Sequence, residues 1–290
     1  MMRVFVTGAS GLIGSTVVPE LLDAGHTVVG LARSDASAAA VKAVGADVVR
    51  GDLSDLDVVR GAAAAADGVI HLAFGHDFTA YLSSIEEEGR VVATLGHALA
   101  GSGRPLVIAS GTPAVPGRAS TEDDPSPTDG LAGGRGRNAQ AALDLAERGV
   151  RTAVVRLPRT VHLDGKGGFA GMLVDVARRN GISGYPGDGT QRWPAVHALD
   201  AARLFRLALE NAPPATVVHA VADGGDELRE IATVIGRRLG VPVQPVPAET
   251  FGPLGAIFSL DQPSSSALTR QRFEWTPTHP SLLDDLENIS

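Results

Sequence analysis

Val4-Phe5-Val6-Thr7-Gly8-Ala9-Ser10-Gly11-Leu12-Ile13-Gly14 joins an apolar run to an amphipathic one through three spaced glycines. Each glycine has its own physical task. Gly8 permits a tight turn, Gly11 lets the backbone approach a pyrophosphate, and Gly14 lets a helix pack closely on the strand before it. The stretch reads as a dinucleotide-binding turn, with Thr7, Gly8, Ser10, Gly11, Leu12, Ile13 and Gly14 around the phosphates and the helix N–H groups facing them. Residues 15–24 continue as a helix, apolar at Val17, Val18, Leu21 and Leu22, and Gly25-His26 ends it before a second strand, 27–31.

Working outward, strand and helix keep alternating. Helices are predicted over 36–44, 56–65 and 83–100, and strands over 47–50, 69–74, 105–109 and 151–156. This order implies an α/β fold, a doubly wound parallel sheet with right-handed crossovers and helices on both faces. From Leu157 the pattern turns irregular, so residues 1–160 are expected to form the nucleotide-binding domain and 161–290 a smaller substrate-binding region. Some of its segments return to the sheet, a strand over 217–220 among them. The glycine-rich residues 130–136 are predicted to be a loop.

Composition narrows the chemistry. The chain has 290 residues, 44% of them hydrophobic, and no cysteine, which removes disulfides, thiolate catalysis and cysteine-held metals. A net charge of -8 argues against nucleic acid as a partner. No apolar stretch has the length of a membrane span, and the first strand starts too early for a signal peptide, so a cytoplasmic protein that does not meet the membrane is expected.

The spacing Thr-Gly-x-x-Gly-x-x-Gly resembles the extended short-chain dehydrogenase/reductase family, which binds NAD or NADP on a Rossmann-type domain, and in particular its NAD-dependent epimerase/dehydratase branch. The second strand of such a domain normally ends in an acid that accepts from the adenosine ribose. Here it ends in Ala32-Arg33-Ser34. An arginine without an acid suits a 2′-phosphate, which favours NADP over NAD; the alternative is a surface charge paired with Asp35. Asp52 and Leu53 resemble the adenine-contacting turn, with Asp52 equally readable as a helix cap. Leu72-Ala73-Phe74 resembles the stretch beneath the nicotinamide ribose, and His71 before it reads as a satisfied core or adenosine-side histidine, not a catalytic one.

The family's chemistry uses a tyrosine with a lysine four residues later. The only tyrosines are Tyr81 and Tyr185, followed at that spacing by Ile85 and Gly189. Counting back from the sixth strand puts the tyrosine position near Arg135 and the lysine position near Ala139. The hydroxyl that positions the substrate carbonyl falls on Thr112, with Ser110 the near alternative. His162 is the candidate substitute acid, with His76 comparable, Lys166 four residues past His162, and Arg135 a candidate oxyanion stabiliser. Where relatives place an arginine for a nucleotide-sugar diphosphate this chain has Trp193, with Arg192 one residue early. Phe74, Phe78, Tyr185 and Trp193 are readable as cleft residues, which would suit an apolar or aromatic substrate, although each taken singly reads as core packing.

Three functions follow. The favoured one is an NADP(H)-dependent reductase of an apolar or aromatic carbonyl-type small molecule, with a non-standard proton donor. The second is a non-catalytic NADP-binding redox sensor, and the third a nucleotide-sugar epimerase or dehydratase. The resemblance also implies a homodimer through the helices at 83–100 and 138–147.

Overall fold

The computed structural model describes residues 1–75 and 80–289. In chain order it runs β1 (Arg3–Thr7), α1 (Gly14–Asp23), β2 (Thr27–Ala32), α2 (Asp35–Ala43), β3 (Asp47–Arg50), α3 (Leu56–Ala64), β4 (Gly68–His71), α4 (Tyr81–Leu99), β5 (Pro105–Gly111), α5 (Gly130–Asp144) and β6 (Arg151–Leu157). It continues with β7 (Thr160–His162), α6 (Gly168–Asn180), β8 (Ser183–Pro186), β9 (Arg192–His197), α7 (Ala198–Asn211), β10 (Thr216–His219) and β11 (Asp223–Glu227). The last elements are α8 (Leu228–Leu239), β12 (Val243–Val246), α9 (Gly255–Phe258), α10 (Ala267–Phe273) and α11 (Leu282–Leu286).

Two compact units emerge. The first comprises Met1–Gly111, Pro125–Arg156 and Ala201–Val218, and the second Thr112–Asp124, Leu157–Asp200 and His219–Ser290. The first is built on a parallel seven-stranded sheet in the order β10-β6-β5-β4-β1-β2-β3. β1 lies between β2 and β4, with Phe5 opposite Val29 on one side and Val69 on the other. The strand order reverses direction there, and at such a point the loops after the strands diverge and leave a crevice at their carboxyl ends. Val4, Phe5 and Val6 are wholly buried, as expected of a strand covered on both faces.

The second unit carries a three-stranded sheet, β11-β9-β7, and a two-stranded one, β12-β8. Its core gathers Trp193, Phe258, Leu228, Ile231 and Leu282. No helix among the described residues is long and apolar enough to cross a membrane.

Two expectations need correction. β4 stops at His71 and does not reach Phe74, although Leu72 N still donates to Thr7 O at 3.2 Å. The larger departure is at residues 130–136, which form the first turns of α5 instead of a loop. Glycine is a poor helix former, but here the helix approaches its neighbours too closely for side chains. A Cβ on Gly134 would stand 2.6 Å from the Ile85 side chain, one on Gly133 would stand 2.5 Å from Thr128 O, and one on Gly136 would overlap Pro127 O. Glycine-to-alanine changes in a helix ordinarily stabilise by up to about 1 kcal/mol. Gly136→Ala is expected to destabilise instead, by about 1–3 kcal/mol in urea unfolding, because the overlap is with backbone; a rise in stability would contradict the close approach.

Candidate active site

The glycine turn is built as its sequence requires. Gly8 has φ +70°, and a Cβ there would lie 2.8 Å from Ala73 N; a Cβ on Gly14 would overlap Gly8 O. Gly11 N donates to Gly8 O at 3.0 Å, closing the turn, while Ser10 and Gly11 are exposed above it. Among the described residues the N–H groups of Leu12 and Ile13 make no backbone bond. The result is a shallow cradle at the start of α1 with open donors, the surface a pyrophosphate fits.

Thr7 ties this cradle to β4. Its Oγ1 lies 2.7 Å from His71 Nδ1 and accepts from Ala73 N at 3.3 Å. Both side chains are buried. Burial, and then the nearby Arg135 charge, lower the His71 pKa to about 4, so the ring is neutral at neutral pH. Its Nδ1 is partnered by Thr7, while Nε2 is buried with no hydrogen-bond partner among the described residues, so the ring is only half satisfied.

At the end of β2, Arg33 is exposed and makes no ion pair among the described residues. Asp35 instead meets Arg50 Nη2 at 3.1 Å, so the pairing of Asp35 with Arg33 is not what the structure has. Ser34 caps α2: its Oγ accepts from Ser37 N at 3.1 Å while Ser37 Oγ returns the bond to Ser34 N. Asp52 holds a tight turn, accepting from Ser54 N at 3.2 Å and Ser54 Oγ at 3.3 Å. The cap position of α3 belongs to Asp55, which corrects the reading of Asp52 as the cap. Leu53 packs on the sheet core.

Arg135 sits on α5 and is held from three elements. Its Nη2 donates to Glu88 Oε1 of α4 at 2.8 Å and to Ala109 O of β5 at 2.9 Å, and its guanidinium carbon lies 4.1 Å from the centre of the Phe74 ring. Glu88 is only 4% exposed and also accepts from Asn138 Nδ2 at 2.9 Å. A buried carboxylate needs such partners, and here they orient the guanidinium. Tyr81, at the first turn of α4, meets the same Phe74 ring edge-on at 5.8 Å. Burial raises its pKa, which Arg135 opposes and Glu88 reinforces. The phenol stays protonated at neutral pH. Sequence reasoning passed over Tyr81 because it looked for a lysine four residues on, and over Glu88 because a lone glutamate in a helix carries no signal.

In the second unit, Thr112 follows β5 directly and is buried, its N–H donating to Leu157 O at 3.0 Å. His162 lies on β7, 1% exposed, with Nδ1 2.7 Å from Asp285 Oδ2. Lys166 is exposed. Trp193 takes the core-packing alternative: it is fully buried, packed edge-on against Phe169 and Phe258 at 6.2 and 5.1 Å. Phe78 and His76 lie outside the described residues. Arg192 is locked by Asp261 through Nε and Nη2 at 3.1 and 2.8 Å, in a cleft of about 670 Å³ that Asp188 and Glu227 also line.

A family model for the NAD dependent epimerase/dehydratase family matches residues 4–220. The chain belongs to that family. An uncharacterized protein of Schizosaccharomyces pombe is 45% identical, over 98% of each chain. A 4-hydroxy-2-methyl-3-oxo-4-farnesyl-3,4-dihydroquinoline-1-oxide ketoreductase of Stigmatella aurantiaca is 25% identical over 84% of this chain and 75% of its own. Among solved structures, the dTDP-glucose 4,6-dehydratase of Streptomyces venezuelae with NAD bound superposes with a TM-score of 0.80 at 21% identity, covering 99% of this chain and 95% of that one. The family fold extends beyond the matched region, since β11, α8 and the later elements are part of that superposition's 99% coverage.

The buried His71 sets a pH dependence. Its folded pKa lies below the ordinary value of 6.5, so the unfolded chain binds the extra proton first and the associated stability, full above pH 6.5, is lost as pH falls toward 4. The loss amounts to about 3 kcal/mol. Urea midpoints at pH 7 and pH 4 are expected to show a smaller acid loss in His71→Gln than in the native chain; equal losses would contradict a neutral buried ring.

Proposed function

We propose that the protein is an NADP(H)-dependent oxidoreductase that reduces an apolar or aromatic carbonyl compound. One observation carries the cofactor choice: Arg33 stands exposed beside the glycine cradle with its nearest expected acid, Asp35, engaged by Arg50. A free guanidinium attracts a 2′-phosphate and leaves the ribose hydroxyl of NAD without its acceptor. The Stigmatella ketoreductase supports a carbonyl substrate. A nucleotide sugar is disfavoured, because Arg192 is consumed by Asp261 and the surrounding cleft holds Asp188, whose charge repels a diphosphate.

The nicotinamide, when bound, supplies the hydride. The chain supplies the rest. Leu72, Ala73 and Phe74 would hold the nicotinamide ribose, and Arg135 would offer a fixed positive charge to developing negative charge on the substrate oxygen. Tyr81 gives the proton, its phenol held in the neutral form. Within the second unit, the Thr112 hydroxyl is the group offered to a substrate oxygen. His162 has no open face and holds Asp285, so proton transfer is not assigned to it.

A panel of aromatic ketones and quinones is expected to oxidise NADPH in the presence of the protein, with Tyr81→Phe lowering kcat about 100-fold. Arg33→Ala is expected to weaken NADPH binding about 10- to 100-fold and NADH binding less than about twofold. Equal effects on the two nucleotides would remove the NADP assignment, and a panel that never oxidises NADPH would remove the reductase.

A further inference from the structure

Arg159 is a cation in an unusual place. It is 7% exposed, stands over the rings of Phe169 and Trp193 at 5.3 and 5.5 Å, and meets no carboxylate among the described residues. Burial pushes its pKa down to about 10, which leaves it charged at neutral pH. Its Nη1 donates to Ile257 O at 2.9 Å, and its Nη2 donates to the side-chain oxygen of Gln262. A glutamate at 262 would give this buried charge a counterion. A glutamine gives it only a dipole, which is the weaker partner for a desolvated guanidinium.

What glutamine has and glutamate lacks is an N–H group. With its oxygen turned to Arg159, the Gln262 amide has its nitrogen on the other side, where Nε2 donates to Thr112 O and, at 3.3 Å, to Thr112 Oγ1. The cation therefore fixes which way the amide faces. A threonine hydroxyl that accepts from an amide keeps its own proton for another acceptor. A carboxylate in the same place would do the reverse and accept a hydrogen bond from the hydroxyl, leaving it no proton to offer elsewhere.

We infer that Gln262 is a positioning residue: oriented by the buried Arg159, it holds Thr112 Oγ1 as an acceptor from within the protein and so leaves the Thr112 hydroxyl proton for a substrate oxygen. This rests on the role given to Thr112 above. It also assigns a task to a segment beyond residues 4–220, where the family model ends.

The test is a mutant cycle in the NADPH oxidation assay, with thermal unfolding of each variant alongside. Thr112→Ala is expected to lower kcat about 100-fold, as loss of one donor to a developing oxyanion does. Gln262→Glu is expected to lower kcat by a similar factor with KM within about twofold, while Tm shifts by only a few degrees, because the counterion gained by Arg159 offsets the lost donation to Thr112 O. The double variant is expected to match Thr112→Ala within about twofold, since both changes remove the same hydrogen bond. Gln262→Met leaves Thr112 unconstrained and Arg159 unpaired, so its Tm falls while its kcat stays above that of Gln262→Glu; this variant reports if Gln262→Glu does not fold. A Gln262→Glu protein with native kcat, or one whose effect multiplies that of Thr112→Ala, overturns the inference. An unchanged kcat in Thr112→Ala overturns the Thr112 role instead.

Discussion

The first unit depends on one constraint, the absence of side chains where the end of β1, the start of α1 and the residues after β4 converge. Gly8 lies against Ala73 N and Gly14 against Gly8 O, and neither position has room for a Cβ. Backbone groups can then come within reach of one another and of a phosphate. The Thr7 hydroxyl, against His71 Nδ1 and Ala73 N, fixes the same convergence by hydrogen bonds. The parallel sheet supplies the direction of approach, because β1 sits between β2 and β4 where the strand order reverses.

On α5, near the position where the resemblance implies the family's tyrosine, stands Arg135. Arg135 is bound to Glu88, Ala109 O and the face of Phe74, an arrangement that holds a fixed charge instead of a titrating group. Arginine does not exchange its proton near neutral pH, so a cation of this kind can stabilise charge but cannot relay a proton. A proton must come from another group, and Tyr81 shares the Phe74 ring with Arg135. The two tasks usually joined in a tyrosine and a lysine one turn apart are divided between α5 and α4 in the reading proposed above.

Much of the first unit was legible in the sequence, because strand and helix periods there are regular and the glycine spacing has a direct physical meaning. Residues 130–136 were not legible. Their glycines read as a loop by propensity, and only the packing of α5 on Ile85 and on the chain at Pro127 and Thr128 makes them helical. Trp193 was open to two readings, a cleft residue by its motif or core by its residue type, and only the enclosure by Phe169 and Phe258 decides for the core. The contact of Gln262 with Thr112 spans 150 positions, and no local pattern announces it.

The central claim is that the glycine turn after β1 holds a nicotinamide dinucleotide. The most direct measurement is a calorimetric titration of the purified protein with NADPH, run beside Gly8→Val, in which the added side chain must displace Ala73. Saturable binding of one NADPH per chain that is lost in the variant while the variant remains folded is the predicted result. A native protein that takes up no NADPH or NADH, or a folded Gly8→Val protein that binds as the native one does, would contradict the account.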